Sequence, residues 1–379
     1  MSYHCVGLTN DKSTGVRTIK KRFFGAALVA GLVATALGQS PHSAPMRYPP
    51  TRAAANSAGL RIDGIEYVPV TELQRRASLQ SNWTQKDQRL LLKNDRWQIE
   101  LGVDSRESEI NGHRLLLGAP CRLSPHVFYI SRIDAEKIVG PILLPGYQQS
   151  AVPDLRVIVI DPGHGGVDNG TTNKRLGLFE KTMAFDVATR LSKLLRAEGY
   201  KIVMTRETDT KIELPLRAAM ANTVGADLFL SIHFNSLEDD TKTNGTEIFS
   251  FAPADFRSTD SWSRKTDDSE KEPSPVNKYD HWSSVVGYAM QHEMLGALKT
   301  FDRGKKIAHW GVLKPLNCPG ILIESGFLSN PSEARKISTP EYRQQIADAI
   351  AHGVRNYAAT LESLRKSRAA ATTQTPKPN

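Results

Sequence analysis

The chain has 379 residues, 40% of them hydrophobic, and a formal net charge of +9. That length allows two or three domains, and the composition is that of an ordinary globular protein. Lys12, Arg17, Lys20, Lys21 and Arg22 against Asp11 put +4 of the charge in the first 40 residues. The mild remainder, with no Arg-rich helix, suits an anionic cell envelope and excludes a nucleic-acid footprint. The three cysteines, Cys5, Cys121 and Cys318, form no Cys-x-x-Cys pair, which argues against a cysteine zinc site. A Cys121–Cys318 disulfide and two idle thiols both remain open.

Residues 1–40 have the layout of a secretory signal peptide. A basic stretch, Arg17 to Arg22, precedes the apolar, small-residue-rich run Phe23 to Leu37, which is short for a membrane span. An uncleaved N-terminal anchor is the alternative, and only then would the chain be held at a membrane. The expected location is outside the cytoplasm, in the periplasm or envelope. Residues 41–58, rich in Pro, Ala and Ser, read as a linker.

Residues 59–146 read as a small β-rich accessory domain. Short strands flank Asp63-Gly64, a helical turn or two covers Thr71 to Leu79, and Trp83 to Lys93 and Trp97 to Val103 read as strands. Asn111-Gly112 is a strong hairpin signal. His113 and His126 read as surface residues. Tyr67-Val68-Pro69, Asn111-Gly112 and the alternating strands resemble the small domain named after the N-terminal part of copper amine oxidases. That resemblance implies an accessory or adhesive role, not copper chemistry.

From residue 154 to about 360 strands and helices alternate, which predicts an α/β domain with a mixed, mostly parallel sheet flanked by helices. Strands are expected at 156–160, 201–205, 227–233, 245–251 and 320–324. Helices are expected at 181–198, 214–224, 282–298 and from Thr339 onward. The charged stretch 252–280 reads as a solvated loop. The Lys/Arg/Ala/Thr/Pro-rich tail, 361–379 in the domain division, reads as disordered.

Three apolar strands end in residues that can do chemistry. Val157–Ile160 leads to Asp161 and His164, Leu228–Ile232 to His233 and Asn235, and Ile321–Ile323 to Glu324. Parallel strands would bring all three endings to one sheet edge. Glu180 lies at the far side of the glycine-rich loop. Two histidines and a carboxylate are a usual catalytic zinc set, and one further carboxylate can take a proton from water. His164, Glu180 and His233 are thus candidate ligands and Glu324 the candidate base. A turn histidine with no role is the plain alternative at His164. Asn235 orients substrate or caps its strand. Asp161, Arg206 and Arg217 read as groups that fix the loop, and His281, His292, His309 and His352 lie off the strand ends.

Residues 155–357 closely resemble the type-3 zinc-dependent N-acetylmuramoyl-L-alanine amidases. The match runs in order through Ile160-Asp-Pro-Gly-His-Gly-Gly166, Leu178-Phe-Glu-Lys181 and Ala226-Asp-Leu-Phe-Leu-Ser-Ile-His-Phe-Asn235. It continues with Gly245-Thr-Glu247, Asp302-Arg-Gly304 and Pro319-Gly-Ile-Leu-Ile-Glu-Ser-Gly-Phe-Leu-Ser-Asn330. The resemblance implies one Zn2+ held by His164, Glu180 and His233, with Glu324 as the catalytic glutamate. It implies peptidoglycan as the partner, with an activator protein as a further one, and cleavage of the amide between the muramic-acid lactyl group and L-alanine. In such a family an insert like 252–280 can cover the cleft. A non-cutting envelope-binding module and a zinc peptidase are the competing readings.

Overall fold

The computed structural model describes residues 59–148, 151–260 and 266–373; the expected leader and linker lie outside them. The front part carries β1 (Leu60–Ile62), β2 (Ile65–Pro69), α1 (Thr71–Ala77), β3 (Gln80–Gln85), β4 (Arg89–Lys93), β5 (Gln98–Gly102), β6 (Glu107–Ile110), β7 (His113–Leu116), β8 (Arg122–Ser124) and β9 (Val127–Ser131). A wide helical turn over Asp134–Val139 runs into α2 (Gly140–Leu143). The stretch expected as one strand from Trp83 to Lys93 is a hairpin. It turns at Asp87, which sits in the left-handed region at φ 55°. The Asn111-Gly112 turn joins β6 and β7, as its residues dictate.

The second part follows with β10 (Val157–Pro162), the short hairpin β11 (Thr172–Asn173) and β12 (Leu178–Phe179), α3 (Glu180–Ala197), β13 (Lys201–Met204), α4 (Leu214–Thr223), β14 (Leu228–Asn235) and β15 (Thr246–Phe251). It ends with α5 (Asp280–Leu298), β16 (Asp302–Ala308), β17 (Gly320–Phe327), α6 (Pro331–Ile337) and α7 (Pro340–Thr373). β13, β10, β14 and β17 are parallel neighbours in that order, and β15 then pairs antiparallel to β17.

Both sheet faces are covered, which is why these strands read as unbroken apolar runs. Ile158, Ile160, Leu230, Ile232 and Ile323 point into a core with Val187 and Leu191 of α3, Met290 of α5 and Ile350 of α7. The alternate residues Val159, Phe229 and Leu322 meet Ala218 and Ala221 of α4 and the Val312–Cys318 segment on the other side. Cys121 and Cys318 are free and buried, in different cores.

The sheet does not stop at the second part. β16 pairs with β7 at Lys305 and Leu115, so a single 11-stranded sheet runs from β13 through to β3. Side chains tie the seam: Lys137 Nζ to Asp280 at 2.9 Å, Tyr288 Oη to the Ile110 carbonyl at 3.0 Å and Gln291 to the Arg114 carbonyl at 2.7 Å. His113, expected at the surface, is half-buried in this seam against Tyr288 and His292. His126 is exposed. α7 continues to Thr373, past the point where composition predicts disorder. Its end holds Ala369, Ala370 and Ala371, the best helix formers. No helix of the described residues is long and apolar enough to cross a membrane.

Candidate metal centre

The parallel register of β10, β14 and β17 delivers the expected endings to one edge. His233 and Glu324 are direct partners in the β14–β17 ladder. Beyond β10 the chain turns through Gly163 into His164, whose φ of 59° is a conformation that non-glycine residues rarely adopt. Arg217 and Arg206 hold that turn. Arg217 donates to the His164 carbonyl at 2.9 Å and to Asp161 at 2.7 Å, and Arg206 donates to the carbonyls of Pro162, Gly163 and Lys181. Asp161 also accepts from Thr205 and Ser231, so all its work is internal. These three residues fix the loop.

Glu180 is the first residue of α3, where the helix dipole favours an anion. Its two oxygens accept from the Phe234 amide at 3.1 Å and the Thr171 amide at 2.9 Å. They also stand 2.8 Å from His233 Nδ1 and 3.0 Å from His164 Nε2. One donor atom each from His164, Glu180 and His233 lie within 4.8 Å of one another. The other nitrogen of His164 faces Asp168 at 3.0 Å, a carboxylate that also accepts from the Gly170 amide. Such a partner orients a ligating imidazole.

Close packing explains the glycines. A Cβ at Gly163 would stand 2.3 Å from the His233 ring, and one at Gly170 2.5 Å from the His164 ring and 2.6 Å from Glu180. Burial alone would lower His164, but the hydrogen bonds and charges of Glu180 and Asp168 outweigh it and lift the imidazole to about 9. Burial would raise Glu180, yet the two histidines hold it well below the usual carboxylate range. At Glu324 the balance is opposite. Burial, reinforced by Glu180 and Glu247 and only partly offset by Lys306, pushes its carboxyl well above that range.

Glu324 Oε2 is buried and has no hydrogen-bond partner among the described residues. An orphaned buried oxygen beside two imidazoles and a carboxylate is the signature of a centre built around something further. Two nitrogens and one carboxylate suit a zinc-like divalent ion, so the donor set fits one. His281 and His309 instead face the Pro145 and Phe256 carbonyls, and His292 and His352 are exposed.

Family comparison agrees with this geometry. The N-acetylmuramoyl-L-alanine amidase family matches residues 158–356, more than half of the chain. The chain belongs to that family. Among its amidase relatives, AmiA of Escherichia coli is 32% identical over 225 residues, 53% of this chain and 76% of its own. The germination-specific amidase of Bacillus subtilis is 31% identical over 53% of this chain and 79% of its own. A solved amidase of Clostridium difficile 630 shares 32% identity over 54% of this chain and 97% of its own, with a TM-score of 0.46.

Asn235 does not stand free at the amidase site. Its amide nitrogen donates to Glu247 at 3.1 Å and its oxygen accepts from the Ser236 amide. Sequence reasoning gave no role to Asp168, Glu247, Arg303 or Lys306. Glu247 arrives from β15, whose direction no sequence pattern reveals, and Arg303 and Lys306 from β16, whose polar residues give no strand signal. The flanking glycines of Gly245-Thr-Glu247 and Asp302-Arg-Gly304 were the available signal.

The described residues of 252–280 do not cover the cleft. β15 starts at the site edge, where Glu247 pairs with Glu324, and runs away from it. The segment therefore begins at the opposite edge, where the Thr259 amide donates to Ile307 and Arg106 donates to the Thr259 carbonyl. Phe256 packs against Gly118. This stretch ties the front part to the sheet.

Proposed function

We propose that the chain is an exported zinc-dependent hydrolase that cleaves the amide between the lactyl group of N-acetylmuramic acid and L-alanine in peptidoglycan. The observation that carries this is the convergence of His164, Glu180 and His233 beside a buried, unpartnered Glu324 oxygen. His164, Glu180 and His233 would hold the ion. Bound there, zinc supplies a water of lowered pKa and polarises the amide carbonyl. Glu324 takes the proton from the attacking water and hands it to the departing L-alanine nitrogen. Asp168 keeps the His164 ring turned toward the ion, and Glu180 is held by two backbone amides so that ligation costs little rearrangement.

Residues 1–40 act in this reading as the export signal, residues 154–360 as the cutting domain, and residues 59–146 as an accessory, wall-facing module. One relative, the CwlD amidase of Clostridioides difficile, has been solved in complex with the GerS lipoprotein. An activating protein partner is part of the proposal for this chain. The role is remodelling of the cell wall or separation of cells. The test is digestion of purified sacculi followed by separation of the soluble products. Stem peptides with a free L-alanine amino group, released with zinc and not after chelation, are the expected result. Intact sacculi with protein bound to them would instead establish a binding module.

A further inference from the structure

Glu247 sits one strand beyond Glu324, its side chain only 5% exposed, and it anchors a group of polar side chains on the wall of the site. One of its oxygens accepts from Arg303 Nε at 2.5 Å and from Lys306 Nζ at 2.8 Å, and the other from Asn235 at 3.1 Å. Lys306 is nearly enclosed, with its ammonium 5.5 Å from the Phe249 ring centre. Arg303 is different. Its Nε is tied to Glu247, its guanidinium carbon lies 5.1 Å from the Phe327 ring centre, and its side chain is 27% exposed. Among the described residues neither of its terminal nitrogens has a hydrogen-bond partner.

The result is a planar edge with parallel N–H donors, clamped on one side by a buried carboxylate and on its face by an aromatic ring. Such an edge matches a carboxylate in two-point fashion, and the clamping removes most of the ordering cost of binding. Asp240 and Glu333 feel its charge, but both are engaged. Asp240 accepts from Lys242 and Thr243, and Glu333 from the Gly245 and Phe327 amides. Recognition therefore rests on aligned donors and not on a positive patch.

Resting on the amidase reading above, we propose that Arg303 is a specificity-determining residue that receives a free carboxylate of the stem peptide, with Glu247 and Asn235 as the positioning residues behind it. Reach supports this. Arg303 is on β16, two strands from Glu324, or about 10 Å at the usual strand spacing. An extended peptide advances about 3.5 Å per residue, so the carboxylate belongs to the second or third stem residue. A γ-linked glutamate at the second position carries one, and a diamino acid at the third can carry another.

The experiment uses the zinc-loaded full chain and muramoyl peptides with the carboxylate amidated at the second residue, at the third, or at neither. For the wild type, kcat/KM is expected to fall at least tenfold on one of the two amidations, which identifies the residue bound. Arg303→Ala is expected to lose that factor on the free peptide through KM, while cutting the sensitive amidated peptide as fast as wild type does. Arg303→Lys should recover only part of the preference. An Arg303→Ala enzyme that keeps the wild-type preference overturns the inference. So does equal loss on every peptide, which would make the residue merely structural. A wild type that cuts none of the peptides sinks the amidase reading itself, and the inference with it.

Discussion

Gly170→Ala is the sharpest test of how tightly the candidate metal centre is built. The backbone there has φ +61°, and alanine in that region costs about 1–2 kcal/mol. The larger effect is steric. The new methyl would stand 2.5 Å from His164 Cδ2 and 2.6 Å from Glu180 Oε2. Carbon contacts relax only near about 3.5 Å, so both side chains must retreat by about 1 Å. Disturbing the support of a ligand costs about 10–100-fold in metal affinity, and two ligands move here. Gly177→Ala is the matched control, because Gly177 has φ +64° and nothing within 4 Å of its would-be methyl. Zinc affinity by competition with a coloured chelator, measured beside urea denaturation, separates the two costs. Both variants should lose similar backbone stability, and only Gly170→Ala should lose zinc. Equal zinc affinity in the two variants would refute the packing argument.

Glu324→Ala should retain stoichiometric zinc by elemental analysis while kcat falls about 10²–10⁴-fold, the range for loss of a general acid–base group; cleavage at the normal rate would remove Glu324 from that role. Arg217→Ala should cost about 3–5 kcal/mol in urea denaturation, because it strands Asp161, whose side chain is 1% exposed. In chelator-treated protein the His164 imidazole stands at about 9, above its ordinary 6.5. The stabilisation by its carboxylate partners is therefore complete below pH 6.5 and vanishes as pH rises through about 9, at most about 3 kcal/mol in all. Metal-free protein should resist urea better near about pH 6 than near about pH 9, and a flat profile would contradict the His164–Glu180–Asp168 arrangement.

The three strands that carry His164, His233 and Glu324 were legible because strands buried on both faces must be apolar throughout, and the first polar residue then marks the rim. Glu180 was legible from the break between loop and helix. β15 was equally visible as a strand, but its apolar residues are the same read in either direction. Only the antiparallel pairing of Glu247 with Glu324 shows that its start, and not its end, reaches the site. Arg303 and Lys306 were lost because the polar run from Asp302 to Lys306 carries no strand signal, although it forms most of β16. The 80–93 hairpin was hidden because Asp87, not glycine, makes its turn. The charges of 252–280 suggested a solvated loop, yet Phe256 packs on Gly118 and the Thr259 carbonyl accepts from Arg106, which docks it on the front part. The pairing of Leu115 with Lys305 spans too much chain for any local pattern to announce it.

That last pairing has a mechanical consequence. With β7 and β16 paired, and with Lys137, Tyr288 and Gln291 bolting the join, the first strands and the edge that carries His164, His233 and Glu324 belong to one continuous plate. Anything held at the far end of such a plate would set the standoff and the angle at which the other end meets its target. A cutter on a tether would sweep a volume; one built into a plate would be aimed by wherever the opposite margin came to rest.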